Sequence, residues 1–212
     1  MVNKKITELN ELAAQPASTD TIAIVDDPGG SPETKYITIA NLHSGLGGGT
    51  RTTTTNLIFE IPDSTSAYPD ILSMTNRKVD GFVLPDNLDG KFHFKCIVPE
   101  DIAGTPAAQI ILWFAPTGAS TAGNARITVN RLFVGSTETM DGAGTDETEQ
   151  SIAISATAEV TVKATFTLAA SPTAGELLLG TVTRQALADS LDTYEADIIC
   201  VGGVLLIDQA DP

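Results

Sequence analysis

From Asn56 onward, apolar residues recur at every second position in strand-length segments, and Gly, Pro or Asp ends most of them. A period of two places successive side chains on opposite faces, so such a chain must build sheets that bury one face. The clearest case is Lys91 to Val98, where Phe92, Phe94, Cys96 and Val98 share one face and Lys91, His93 and Lys95 the other. Leu57 to Ile61 stops at Pro62, and Gly81 to Leu84 stops at Pro85. Ala108 to Ala115 is apolar on both faces and predicts a central strand, with Trp113, the single indole, as a core anchor. In Ala125 to Val134, Ile127, Val129 and Phe133 point inward and Thr128 and Asn130 outward, with Arg131 interrupting the inward set. Glu159 to Leu168 alternates cleanly, Glu176 to Arg184 adds another apolar run, and Ala196 to Asp208 is broken at Gly202-Gly203, where a bulge fits. Only Arg184 to Tyr194, with Leu187 and Leu191 four apart, predicts a helical turn.

About eight strands with no intervening helices predict an all-β fold, an antiparallel β-sandwich of jelly-roll-like type. No internal repeat of fixed period and no heptad pattern is present, which argues against a propeller, a β-helical spike or a long fibre shaft.

Charge narrows the partners. The chain has 12 basic and 27 acidic residues, a formal charge of −15, without any cluster of Lys and Arg that could release counterions from a phosphate backbone. Nucleic acid is therefore not an expected partner. No stretch reaches the roughly 18 consecutive apolar residues of a membrane span. Lys4-Lys5 is followed by Ile-Thr-Glu-Leu-Asn-Glu, not by the apolar core of a signal peptide, so synthesis and folding in a cytoplasm are expected. Cys96 and Cys200 lie in apolar, strand-like runs and read as buried, reduced thiols.

Ahead of the sandwich, Thr21 to Val25 and Tyr36 to Ile39 are short apolar alternations around Asp26-Asp27-Pro28-Gly29-Gly30-Ser31-Pro32, which forces a reversal. This predicts a small N-terminal β-hairpin, with Ile6, Leu9 and Leu12 at three-residue spacing before it and Leu42 after it. A glycine and threonine stretch follows and reads as a tether with a boundary near Gly49. The organisation expected is a hairpin docking module over 1–44, a linker over 45–55 and the sandwich over 56–212. Gly-x-x-x-x-Gly-Lys-Ser/Thr is missing from the tether, which argues against a phosphate loop.

The N-terminal segment resembles that of tailed-bacteriophage structural proteins, fibres and head-decoration proteins among them. The residues that carry the resemblance are Lys5, Ile6, Thr7, Leu9 and Leu12, then Asp20 to Asp26, then Lys35, Ile37, Thr38 and Leu42. It covers about the first fifth of the chain. It implies a virion protein, made in the host cytoplasm, whose foot docks on capsid or tail proteins through Ile6, Leu9, Leu12, Ile22, Ile24, Tyr36, Ile37, Ile39 and Leu42. The missing shaft favours a head-decoration or short head-fibre knob over a tail fibre, and a homotrimer is the oligomer that the resemblance implies. A receptor- or carbohydrate-binding module that touches a host surface glycan is the alternative, with Tyr68 and Tyr194 the loop aromatics available for it.

Catalysis is not expected. His43 stands at the edge of the tether and His93 on a strand face between lysines, and no Gly-x-Ser-x-Gly elbow occurs. Asp86, Asp89, Glu100, Asp101, Asp189, Asp192, Glu195 and Asp197 fall near strand ends, where a glycan hydrolase could pair two of them, but aromatics make up only 5% of residues. These acids read as solvated loop carboxylates. Glu138 to Glu149 holds five acids and no base, yet its spacing departs from the EF-hand loop, and it reads as an exposed loop with no metal. No cofactor is expected.

Overall fold

The computed structural model describes residues 19, 21–26, 33–38, 52–60, 67–74, 76–102, 104, 106–187 and 189–209. The chain divides into two compact units, Met1–Thr50 and Arg51–Pro212. In the first, β1 (Thr21–Asp26) pairs antiparallel with β2 (Glu33–Thr38), so the expected hairpin is present.

The second unit is an antiparallel β-sandwich, with twelve strands among the described residues. In chain order these are β3 (Thr52–Asn56), β4 (Ile58–Glu60), β5 (Tyr68–Ser73), β6 (Lys78–Leu84), β7 (Lys91–Ile97) and β8 (Ala108–Pro116), then β9 (Gly123–Val134), β10 (Thr145–Asp146), β11 (Gln150–Ile154), β12 (Val162–Thr167), β13 (Leu177–Arg184) and β14 (Ile198–Asp208). Sheet I has the order β10–β9–β13–β7–β4, with β11 also on β9; sheet II has the order β12–β8–β14–β6–β5, with β3 also on β14.

The register explains which residues were readable as core. Phe92, Phe94, Cys96 and Val98 are buried, as the alternation demands, and so are Ile110, Leu112 and Phe114 from β8. These inner faces form one apolar core with Ile127, Val129, Leu178, Val182, Phe166, Leu205 and Ile207. Gly180 lies opposite both Phe94 and Arg131, and its missing Cβ is the space that the Phe94 ring occupies. Leu57 steps the chain from sheet II to sheet I: its N–H donates to the Gly203 carbonyl at 2.9 Å, just after β3 has paired with β14 and just before β4 pairs with β7. On β14 the extra residue falls between Cys200 and Gly202, so a bulge occurs where the glycine pair announced one.

Three expectations need correction. Thr52 to Thr55 belong to β3, not to the linker, because their backbone completes the second half of the β14 edge. Trp113 is half-buried on the outer face of sheet II, since Leu112 and Phe114 take the inward positions on either side of it. The turn expected between Arg184 and Tyr194 does form, its Asp189 N–H donating to the Gln185 carbonyl at 3.2 Å, but Leu187 and Leu191 are exposed and Arg184 and Tyr194 are the buried residues. Arg131 does not interrupt the inward set but belongs to it, because Glu147 follows it into the interior and accepts from its Nε at 2.6 Å. Both cysteines are free and buried, with burial pushing each thiol up to about 12, so neither is a nucleophile at neutral pH.

Gly180→Ala is expected to destabilise the sandwich by about 1–3 kcal/mol, because the added methyl must displace the Phe94 ring in a packed core. Urea unfolding checks this, and a stability unchanged within a few tenths of a kcal/mol would show that the ring has room to move.

Candidate functional site

The outer face of sheet I is a set of cross-strand rows whose chemistry changes from one row to the next. Register places His93 opposite Glu60 and Thr181, Thr181 opposite Asn130, and Asn130 opposite Asp146, so one polar row crosses all five strands of the path. The adjacent row is Ile58, Lys95, Leu179 and Leu132, and beyond it lie Ile97, Leu177 and Val134. Ile58 and Ile97 are 58% and 65% exposed, so the apolar end of the face is open to solvent.

Bonds within the polar row fix its side chains. His93 Nδ1 lies 2.9 Å from Thr181 Oγ1, and the Asn130 amide donates to Asp146 Oδ1 at 2.7 Å. Lys95 bridges to Glu60 from the next row and neutralises it. The loop after β9 then forms a wall: the Gly142 backbone rests on Leu132, Gly144 adopts a φ of +70° against the Asn130 amide, and Met140 stands exposed at the rim. The result is a groove of about 240 Å³ over Glu60, His93, Asn130, Leu132, Leu179 and Thr181.

A second groove, of about 490 Å³, opens where the β5–β6 ribbon continues past its pairing with β14, which spans only Phe82 to Leu84. Phe59, Phe82, Pro69 and Ile71 line it with Asp70 and Asp80. Phe59, Phe82 and Phe92 pack ring against ring at 5.0–6.1 Å, so the floor of this groove is continuous with the core.

The acids that sequence reading treated as solvated are mostly structural acceptors. Asp192 and Arg184 form a buried pair at 2.9 Å. Asp192 also accepts from the Arg126 N–H, and Arg126 pairs in turn with Asp189 and Glu149. Asp197 accepts from the Asp86 N–H, Asp89 from the Leu187 N–H, and Asp101 bonds the Gln209 amide. The acid-rich run behaves the same way: Glu138 accepts from the Gly135 N–H, and Glu147 from Arg131 and the Ala169 N–H. Among the described residues, no group of three or more His, Cys, Asp and Glu side chains could hold a metal ion. Apart from Gly135–Glu138 and Arg184–Asp192, the partners in these bonds lie 16 to 111 residues apart, and no local sequence signal marks them.

Of the docking residues expected from the sequence, Ile22, Ile24, Tyr36 and Ile37 lie on the hairpin strands, where register sets Ile22 against Ile37 and Tyr36 against Ala23. Ile6, Leu9, Leu12, Ile39 and Leu42 lie outside the described residues. The two loop aromatics separate: Tyr68 is exposed on edge strand β5, whereas Tyr194 is 2% exposed beside Arg184 and offers no surface to a ligand. His93 was visible as an outward residue, but its partner Thr181 is 88 positions away and was not.

No protein-family model and no curated protein matches this chain. Among solved structures it is similar to the CBM22-1 xylan-binding domain from Paenibacillus barcinonensis Xyn10C, at 12% identity over 76% of this chain and 92% of that one, with a TM-score of 0.37. It is similar also to the arabinose-bound MgGH51 α-L-arabinofuranosidase, at 14% identity and a TM-score of 0.41, over 71% of this chain and only 23% of that one. Infectious bursal disease virus Gx strain gives 11% identity over 91% of this chain and 37% of that one, with a TM-score of 0.33. At such values nothing about ligand or activity passes from them to this chain.

Two measurements test the electrostatic frame of the sandwich. Asp192→Ala strands a fully buried guanidinium and is expected to cost about 3–5 kcal/mol in chemical unfolding. The Leu191 N–H, against some desolvation and with help from Arg126, holds the Asp189 carboxyl below its ordinary 3.8. A lowered folded-state value means that this contribution is complete above about pH 4 and is lost as pH falls through the folded value. The acid limb of a stability-versus-pH curve should therefore be shallower in Asp189→Asn than in the parent chain.

Proposed function

We propose that the chain is a non-enzymatic structural protein of a tailed-phage virion surface, with the N-terminal unit as foot and the sandwich as a displayed knob. The observation that carries this reading is the division into a hairpin unit and a sandwich with its own core. A two-stranded hairpin is at best marginal alone in water and is completed by docking on a partner or on sister copies. The partner class, capsid or tail protein, comes from the resemblance of Lys5 to Leu42 to phage structural proteins, and head decoration or a short head fibre fits a chain with no shaft repeat. The internal use of the sandwich carboxylates as loop anchors supports a display role over a catalytic one.

Three copies acting together would turn a weak foot into a firm one through avidity. A homotrimer should appear in light scattering at three times the chain mass of 22.1 kDa. A second reading, attachment to a host glycan, is favoured by the polar row on sheet I and is compatible with the first.

Deletion of Met1 to Gly49 tests the division of labour. The remaining sandwich should keep its melting temperature within a few degrees and lose association with particles. If the truncated protein still joins particles, the docking surface lies in the sandwich and the foot reading is wrong.

A further inference from the structure

We propose that the groove on the outer face of sheet I binds a neutral, hydroxyl-rich ligand, an uncharged saccharide unit. The ligand would lay its hydroxyls on the row Glu60–His93–Thr181–Asn130 and its C–H face on Leu132 and Leu179. This rests on the reading of the sandwich as a display module and assigns that module a ligand class and a site.

Three observations carry it. First, the row is held in place from within while part of each group's bonding capacity is left over. His93 spends Nδ1 on Thr181, leaving Nε2, and Asn130 spends one amide N–H on Asp146, leaving the other, while its Oδ1 packs against Gly144. Groups fixed by one bond and open at another lose little entropy when a ligand arrives. Second, the next row supplies an aliphatic strip, Leu179 and Leu132, directly beside the polar one. A sugar ring has the matching layout, hydroxyls at its edge and C–H bonds on its faces. A purely hydrocarbon ligand would leave the His93 and Asn130 groups unpaired, which is costly on burial.

Third, the charge of the site selects against ions. Lys95 neutralises Glu60, and Asn130 engages Asp146, so a cation would have to compete with bonds already made. An anion would meet Asp146 within a chain of formal charge −15. The groove volume of about 240 Å³ falls below the roughly 300–1,000 Å³ of pockets for drug-sized ligands, which suits one or two rings or the end of a longer chain. Met140, 67% exposed at the rim, is placed to cover one side of such a ring.

The test is a titration of the full ¹⁵N-labelled chain, followed by amide shifts, with a panel of neutral mono- and oligosaccharides of glucose, galactose, mannose, xylose and arabinose. Sialylated and sulfated oligosaccharides serve as controls. Each is added to about 10 mM, where even a millimolar site is largely filled. At least one neutral saccharide should shift the amides of residues 93, 130, 140 and 181. His93→Ala and, independently, Thr181→Val should each weaken it about tenfold with melting temperature held, the loss expected for one hydrogen bond in a well-fitted site. Ile71→Ala in the edge groove should leave binding unchanged.

Silence across the neutral panel overturns the proposal, as do binding of the anionic glycans alone and shifts confined to residues 59, 70, 71 and 82. Shift mapping on the parent chain decides the site even if a variant fails to fold. The particle-association test does not use this face. A silent titration thus leaves the foot reading intact, and loss of the foot reading leaves a positive titration standing.

Discussion

Arg184 is fully buried in a protein with more than twice as many acidic as basic residues, and the two sheets meet around it. It ends β13 in sheet I, yet its guanidinium donates to the Leu84 carbonyl at the end of β6 and to the Ala196 carbonyl just before β14, both in sheet II. Asp192 supplies the counter-charge through both carboxylate oxygens. A buried guanidinium is tolerable only with its charge paired and its N–H groups bonded, so the segment from Gln185 to Asp197 has to fold back over it. That requirement, more than any helical propensity, sets the path of the loop and explains why Leu187 and Leu191 are left in solvent.

The same end of the sandwich shows how an acidic chain folds without an excess of bases. Carboxylates accept backbone N–H groups, as Asp197 does from Asp86 and Asp89 from Leu187, and so fasten loops with charge-assisted bonds. Elsewhere in the sandwich Glu147 takes one donor of each kind, the inward Arg131 side chain on Oε1 and the Ala169 N–H on Oε2. With so many acids spent on structure, the sheet I face is left locally balanced, and its rows can present hydroxyl, imidazole and amide groups beside aliphatic ones. The loop wall depends on glycine for a related reason. Gly144 combines a left-handed φ with a close approach to the Arg131 carbonyl, which a Cβ would meet at 2.9 Å.

Much of the fold was legible because alternation is a local property. Phe92, Phe94, Cys96 and Val98 needed no partner to be recognised as one buried face, and Gly202-Gly203 marked the bulge on β14. Strands that sequence reading passed over were those whose alternation is masked. β5 contains Pro69 and exposes most of its residues, as an edge strand can, and β11 follows directly on an acid-rich run. β3 is a threonine run that becomes a strand only because β14 offers it an edge.

The sequence by itself determined the class of the fold, the separate hairpin, the inward faces of the long strands and the acidic character of the surface. Each of these depends on residues within a few positions of one another. Tertiary structure alone decided the strand order, the inward turn of Arg131 and Arg184, the burial of Tyr194 and the meeting of His93 with Thr181 and Asn130. Those outcomes join residues tens of positions apart, and a period of two says which face a side chain takes but never which strand lies beside it.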